Sequence, residues 1–293
     1  MPVIADIAAI IAPLFVIAGI GFAWGRSKRP FDTNMVGMLT VNFGVPCLIF
    51  SSLTRLEVAI DAFGAIAGLF TLALAINAAV AALVLRVMRL DVATFLPATI
   101  FPNNGNMGLP LCLFAFGAQG LALGISIFVI GAVLNFAVGM ALASGRWSPR
   151  EIVRMPTLYV VFAALAFLAA GIRPPAWLAN TTQLLGGLSI PLMLLALGVS
   201  LSRLRVQSLG RSVALACLRL GTGFLAALAL SWLFELEGAV RGVLILQCTM
   251  PAAVINYIIA ARFERAPGEV AGVVVASTAI SFATLPLLLY AVL

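Results

Sequence analysis

The chain has 293 residues, 63% of them hydrophobic and only 9% charged, with a net charge of +7, a mean hydropathy of +1.18 and no histidine. A soluble domain carries about 25% charged residues, so too little polar surface is available here to cover a globule in water. This excludes a soluble enzyme, a disordered chain and a nucleic-acid binder; without histidine the commonest general base, metal ligand and pH switch are missing too. The class that remains is an all-α polytopic membrane protein.

Charges punctuate the apolar runs, and a helix needs about 20 apolar residues to cross a bilayer. The first half holds runs at about 7–25, 33–54, 62–85, 92–116 and 120–144, the last two divided by the turn signal Phe116-Gly117-Ala118-Gln119-Gly120. The second half holds runs at about 155–172, 176–202, 212–234, 241–261 and 269–292. Numbered in order, these are spans 1 to 10. The runs are continuous rather than alternating, which excludes a β-barrel. The basic cluster Arg26, Lys28 and Arg29 follows the first run, so that run reads as a retained helix and not a signal peptide.

The basic residues are unevenly shared between the two sets of loops. Only Arg55, Arg173 and Arg241 fall on one side, Arg219 lies within a span, and the other thirteen of the 17 fall on the opposite side. The positive-inside rule makes the richer side cytoplasmic, with both termini outside. The acids Asp6, Asp32, Glu57, Asp61, Asp91, Glu151, Glu235, Glu237, Glu264 and Glu269 all lie at span ends or in loops, which leaves no carboxylate within a span for a proton relay. Cys47, Cys112, Cys217 and Cys248 lie within spans without metal-ligand spacing and read as small core hydrophobes.

Prolines divide the chain into two related halves, 1–145 and 146–293. Pro46 and Pro102 stand in spans 2 and 4, and Pro191 and Pro251 in spans 7 and 9, at similar separations. Each half has five spans, an odd number, so the halves lie in opposite orientation, as in the inverted repeats of secondary transporters. Pro102 and Pro251 both fall about 15 Å into the membrane, near its middle. Proline cannot continue a hydrogen-bonded helix, and irregular backbone at that depth survives only inside protein or against a watery cavity. The run Phe101-Pro102-Asn103-Asn104-Gly105-Asn106-Met107-Gly108-Leu109-Pro110 and the milder Gln247-Cys248-Thr249-Met250-Pro251-Ala252-Ala253-Val254-Ile255-Asn256 are therefore expected to be broken helices 4 and 9 meeting at a binding site. Helix N-termini beyond the breaks suit an anion, and bare carbonyls before them suit a small cation or a hydroxyl. The candidate substrate-binding residues are Pro102, Asn103, Asn104, Gly105, Asn106, Gln247, Thr249, Pro251 and Asn256, with Asn42 and Arg219. Arg219, about 12 Å deep, reads either as the counter-charge to an anion or as a side chain snorkelling to the headgroups. Asn42, Asn77 and Asn135 read first as interhelical hydrogen bonds, as do Ser126, Ser277, Thr278 and Ser281.

The pattern Asn-x-Gly-x-x-Gly-x-Pro, met by Asn103, Gly105, Gly108 and Pro110, resembles the auxin efflux carrier family, which includes the plant PIN-FORMED carriers and bacterial malonate-transporter-like proteins. The likeness covers nearly the whole chain, in a compact form without the long cytoplasmic loop of the larger plant members. It implies a fold similar to bile-acid symporters and sodium/proton antiporters, with spans 4 and 9 crossing in a transport domain of spans 3–5 and 8–10. Spans 1, 2, 6 and 7 would form a scaffold, through which family members form homodimers. It implies a small organic anion as substrate, its carboxylate contacted by Asn104 and Asn106, and no catalytic residue, metal or tightly held cofactor. Plant members tend to carry an asparagine beside Pro251, and this chain does not.

The function expected is secondary transport, as an exporter, of a small mono- or dicarboxylate. Coupling to sodium or to a proton is open, and a sodium-coupled symporter or an anion receptor without transport are the alternatives. An intramembrane enzyme would need an activated nucleophile that this chain does not supply.

Overall fold

The computed structural model describes residues 2–55, 60–147 and 153–293. Glu57, Arg150 and Glu151 lie outside the described residues, as do the side chains of Arg55 and Asp61. The described residues are helical throughout, with no strand among them. Seven helical stretches are long and apolar enough to cross a membrane: Ala5–Arg26, Thr33–Thr54, Phe63–Val87, Asn104–Ser144, Ala176–Arg203, Leu209–Leu233 and Pro267–Val292. Pro156–Ala169 and Gly238–Cys248 are shorter apolar helices.

Several of these stretches are interrupted. Helix α1 (Pro2–Arg26) is continuous, whereas α2 (Thr33–Leu39) and α3 (Val45–Arg55) are joined by a π turn at Thr40–Gly44. A π turn admits one extra residue and rotates all that follows. Pro46 follows directly on this turn, at the second residue of α3. Helix α4 (Ile60–Val87) is followed by α5 (Val92–Ile100), a break, a π turn at Asn104–Gly108 and α6 (Leu109–Leu134). Within α6 the backbone turns at Gly117, with φ 61° and ψ −151°, a region open to glycine alone among ordinary residues. The turn signal Phe116-Gly117-Ala118-Gln119-Gly120 coincides with this kink. A third π turn, Asn135–Gly139, leads into α7 (Met140–Ser144).

The second half begins with α8 (Pro156–Ala169), α9 (Ala176–Gly187) and α10 (Ser189–Arg203). Pro191 sits in the first turn of α10, beyond the kink at Leu188. Then come α11 (Leu209–Leu233), α12 (Gly238–Cys248), a second break, α13 (Val254–Arg262) and α14 (Pro267–Val292).

Two sets of helices pack closely among themselves. In one, α1 lies along α10, and α3 packs on α8 and α9. Gly21 and Gly198 let the first pair approach until backbone meets backbone: a Cβ at Gly21 would strike the Leu195 carbonyl, and one at Gly198 the Ala18 carbonyl. Small residues drive association in lipid, where burying apolar surface gains little. In the other set α11 packs on α14, α4 and α12, while α6 packs on α4 and α12. Apart from Arg219 in α11, the charges of the described residues stay near the helix ends. Arg211 pairs with Glu269, and Arg265 stands 4.0 Å from Asp91 while donating to the Ala143 carbonyl at 3.1 Å.

Asp91 caps α5, accepting from the Thr94 amide at 3.0 Å and the Thr94 hydroxyl at 2.5 Å. The hydroxyl bond chiefly, with the Ala93 and Thr94 amides and the Arg265 charge, holds its carboxyl below the usual carboxylate range. A depressed folded-state pKa contributes stability above the unfolded value, and that contribution is lost as the pH falls through the folded one. Asp91→Ala is expected to cost about 1 kcal/mol at neutral pH. In thermal melts its gap from the wild type should close as the pH drops below about 4. Gly198→Val, which drives a side chain into the α1 backbone, should cost about 1–3 kcal/mol by the same measurement, whereas Gly19→Ala, with open space around it, should be neutral.

Candidate functional site

Both broken stretches solve the same problem. Proline lacks an N–H, so neither chain can run through as a helix, and the freed groups must find partners away from water. They find each other. The Asn103 amide donates to the Pro251 carbonyl at 2.7 Å and the Ala253 amide to the Phe101 carbonyl at 3.1 Å. Pro102 and Ala252 form the middle pair of this short antiparallel contact. Pro251 thus lies opposite Asn103. The Ala252 amide, facing away from the pair, donates to Ser277 Oγ at 3.0 Å.

Asparagines tie a third helix into the crossing. Asn256 on α13 is 2% exposed; its Nδ2 donates to the Phe101 carbonyl and its Oδ1 accepts from Asn135 Nδ2, both at 3.1 Å. Asn103 caps the π turn at the head of α6, its Oδ1 accepting from the Asn106 amide at 3.3 Å. That leaves Asn103 Nδ2, a donor, with Asn104 Oδ1 and Asn135 Oδ1, both acceptors, buried and without a protein partner. An unpaired polar atom in such surroundings costs about 1–3 kcal/mol.

These three residues line a cavity of about 240 Å³. Pro102, Asn103, Asn104, Gly105 and Asn106 form one wall, Ala253, Val254 and Ile255 another, and Phe128, Gly131, Ala132, Asn135 and Phe136 a third. The remaining side is Thr40, Val41, Val45, Met155, Thr157 and Met193, from α3 and its π turn, α8 and α10. The cavity therefore lies between the two packed sets of helices. No Asp, Glu, Lys or Arg lines it among the described residues. The N-terminus of α13 enters it without a side-chain cap, because Ala253 has none to offer. Its first amides point inward with the positive end of the helix dipole. Gly105 is required beside the ring of Phe128, which a Cβ there would strike.

The predicted site residues are only partly brought together. Pro102, Asn103, Asn104, Gly105 and Asn106 line the cavity; Pro251 and Asn256 hold the crossing from behind. Gln247 is buried away from the cavity against Gly108, Gly124 and Cys112, and Thr249 turns its hydroxyl back to the Ile245 carbonyl at 2.7 Å. Both precede the break and face the interior of the helix packing. Asn42 is exposed, because the π turn presents Thr40 and Val41 to the cavity in its place. Arg219 is 1% exposed and absent from the cavity wall, so it neither meets a ligand there nor snorkels; it donates to the Cys248 carbonyl at 2.7 Å. Asn135, Phe128, Phe136, Thr157 and Met193 have no spacing signal that would mark them in the sequence. Asn135 was legible only as a polar residue within a span.

Apolar helices, two of them broken and crossed beside a largely apolar cavity with asparagines on its wall, are the architecture of a polytopic membrane protein. A family model described as "Membrane transport protein" matches residues 6–146 and 138–289, and the chain belongs to that family, the family of auxin efflux carriers and PIN-like proteins. It is a transporter family rather than an enzyme family. The chain is 26% identical over 268 residues to an uncharacterized transporter of Methanothermobacter thermautotrophicus, covering 87% of this chain and 88% of that protein. It is also 24% identical over 172 residues to an uncharacterized transporter of Methanocaldococcus jannaschii, 55% of this chain and 56% of that one.

Asn256 serves two partners at once, so Asn256→Ala should leave the Phe101 carbonyl and the Asn135 amide short of a bond and cost about 2–4 kcal/mol. Asn106→Ala, at a half-buried side chain, should cost well under half of that when the two are compared by thermal denaturation in detergent.

Proposed function

We propose that the protein is a secondary transporter of a small organic anion, a mono- or dicarboxylate, moved by alternating access around the crossed broken helices. The observation that carries this is the convergence, on one cavity with no charged residue in its described lining, of the Asn103 and Asn104 residues and the uncapped N-terminus of α13. Amides and a helix dipole bind a carboxylate without placing a fixed charge beside it, and a neutral site can release its ligand on the far side. The aromatic and methionine walls suit the apolar part of the solute. A volume of about 240 Å³ lies below the roughly 300–1,000 Å³ of sites for drug-sized ligands, which suits a small one.

In this reading the chain has ten spans as two inverted five-helix repeats. The apolar stretches supply them once Asn104–Ser144 is divided at Gly117 and the two short helices are continued through their flanking breaks. Spans 1, 2, 6 and 7 are the scaffold, corresponding to the set containing α1, α3, α8, α9 and α10. Spans 3–5 and 8–10 are the moving domain, corresponding to the set around α4, α6, α11, α12 and α14. The position of the cavity between the sets supports this division, because relative motion of the two would change the side on which it opens. The scaffold carries a homodimer contact, the membrane is a bacterial inner membrane, and both termini face outward. Export follows from the membrane potential: a monoanion leaving a negative interior gains about 2.3 kcal/mol per 100 mV.

Purified protein in liposomes should move a labelled carboxylate from a panel of mono- and dicarboxylates. Losing one hydrogen bond to a charged group costs about 1.5–3 kcal/mol, so Asn103→Ala and Asn104→Ala should each weaken apparent affinity roughly tenfold to a hundredfold. Affinity unchanged in both variants, or no flux of any carboxylate in the panel, would sink the reading.

A further inference from the structure

Where α12 stops, at Cys248, its last carbonyls carry the negative end of the helix dipole inside the protein. Half-helix C-termini of this kind are where transporters with broken helices hold a coupling cation. Here Arg219 of α11 reaches that end: its guanidinium is buried and donates to the Cys248 carbonyl at 2.7 Å. Gly223, one turn further along α11, makes room for the contact, since a Cβ there would meet both the Cys248 carbonyl and the guanidinium. The neighbouring C-terminal end, that of α5, is met from the same helix. Thr222 donates to Asn77 Oδ1 at 2.6 Å, and Asn77 Nδ2 reaches toward the Thr99 carbonyl at 3.5 Å. The space left among Phe70, Asn77, Arg219, Gly223 and Cys248 is only about 10 Å³, at the lower limit for a single water. Arg219 forms no ion pair among the described residues; its partner is a carbonyl dipole. A charge this deep is costly in a membrane protein and marks function by default.

We propose that the Arg219 guanidinium is a built-in replacement for a coupling cation, occupying the carbonyl end of α12 so that transport runs without sodium or another metal ion. The consequence for flux rests on the transport reading above, whereas the consequence for stability does not. A resident cation removes the need to load one before the broken helices can hold their crossing. It also keeps the positive charge behind the cavity rather than in it.

The test compares the purified wild type with Arg219→Lys, Arg219→Met and Arg219→Ala, by melting in sodium chloride against choline chloride and by flux of a labelled carboxylate in liposomes. The wild type should show the same Tm and flux in either salt. Arg219→Met, which keeps bulk but not charge, should melt roughly 5–10 °C lower and lose most flux, while Arg219→Lys should retain more than half of both. Millimolar guanidinium should raise the Tm of Arg219→Ala and leave the wild type unmoved, as a ligand that binds only the folded state does. The proposal is overturned if sodium raises the wild-type Tm, if Arg219→Met matches the wild type, or if guanidinium does nothing for Arg219→Ala. Should Arg219→Ala fail to fold, the lysine and methionine variants decide the matter. The melts need no anion, so a protein that moves no carboxylate but behaves this way in stability refutes the transport reading and not the role of Arg219.

Discussion

Two hydrogen bonds, from Asn103 to the Pro251 carbonyl and from Ala253 to the Phe101 carbonyl, are the constraint on which the rest of the structure depends. Each proline stops its own helix, and inside a bilayer a stopped helix has no water to fall back on. The two interrupted stretches can be buried only by facing one another. Once they do, four helix ends meet at one level: α5 and α12 arrive with their carbonyl ends, and the segments leading to α6 and α13 leave with their amide ends. Polarity is thereby concentrated in a bundle that is otherwise apolar.

The amide and carbonyl ends are then treated differently. The amide ends stand beside a cavity lined mainly by asparagines and apolar side chains, with no charged residue in its described lining. Neutral groups avoid the desolvation that a buried charge would demand, and they do not hold an anion as tightly as a lysine or arginine would. The carbonyl ends are closed by groups from a neighbouring helix, with Arg219 on one and the Asn77–Thr222 pair on the other. The one cation buried within the described helices is spent on backbone and kept off the cavity wall.

Much of this was legible in the sequence, because the signals involved are local. The runs between charges mark the helices, Gly117 marks the divide within α6, and the crowding of Asn103, Asn104 and Asn106 after Pro102 marks a polar break at mid-depth. Other candidates lie off the cavity wall for reasons of direction. Gln247 and Thr249 lie as near to Pro251 in sequence as Asn256 does, but the chain is still helical before the break and points them into helix packing. Asn42 is turned out by a π turn that no motif announces. Asn135 is both an interhelical partner and a cavity residue, two roles that sequence reasoning treats as alternatives.

The sequence by itself determined that the chain lives in a membrane, where its helices run and where two of them must break, because hydropathy, charge and proline geometry act within a few residues of themselves. Only the tertiary structure decided that Pro102 faces Ala252 and that α13 opens uncapped into a cavity shared by both helix sets. It also decided that Arg219 donates to the Cys248 carbonyl, away from the cavity wall. Those outcomes depend on which side of a helix meets which neighbour. A rotation of one residue, about 100° around a helix, is enough to move a side chain from the cavity wall to the lipid.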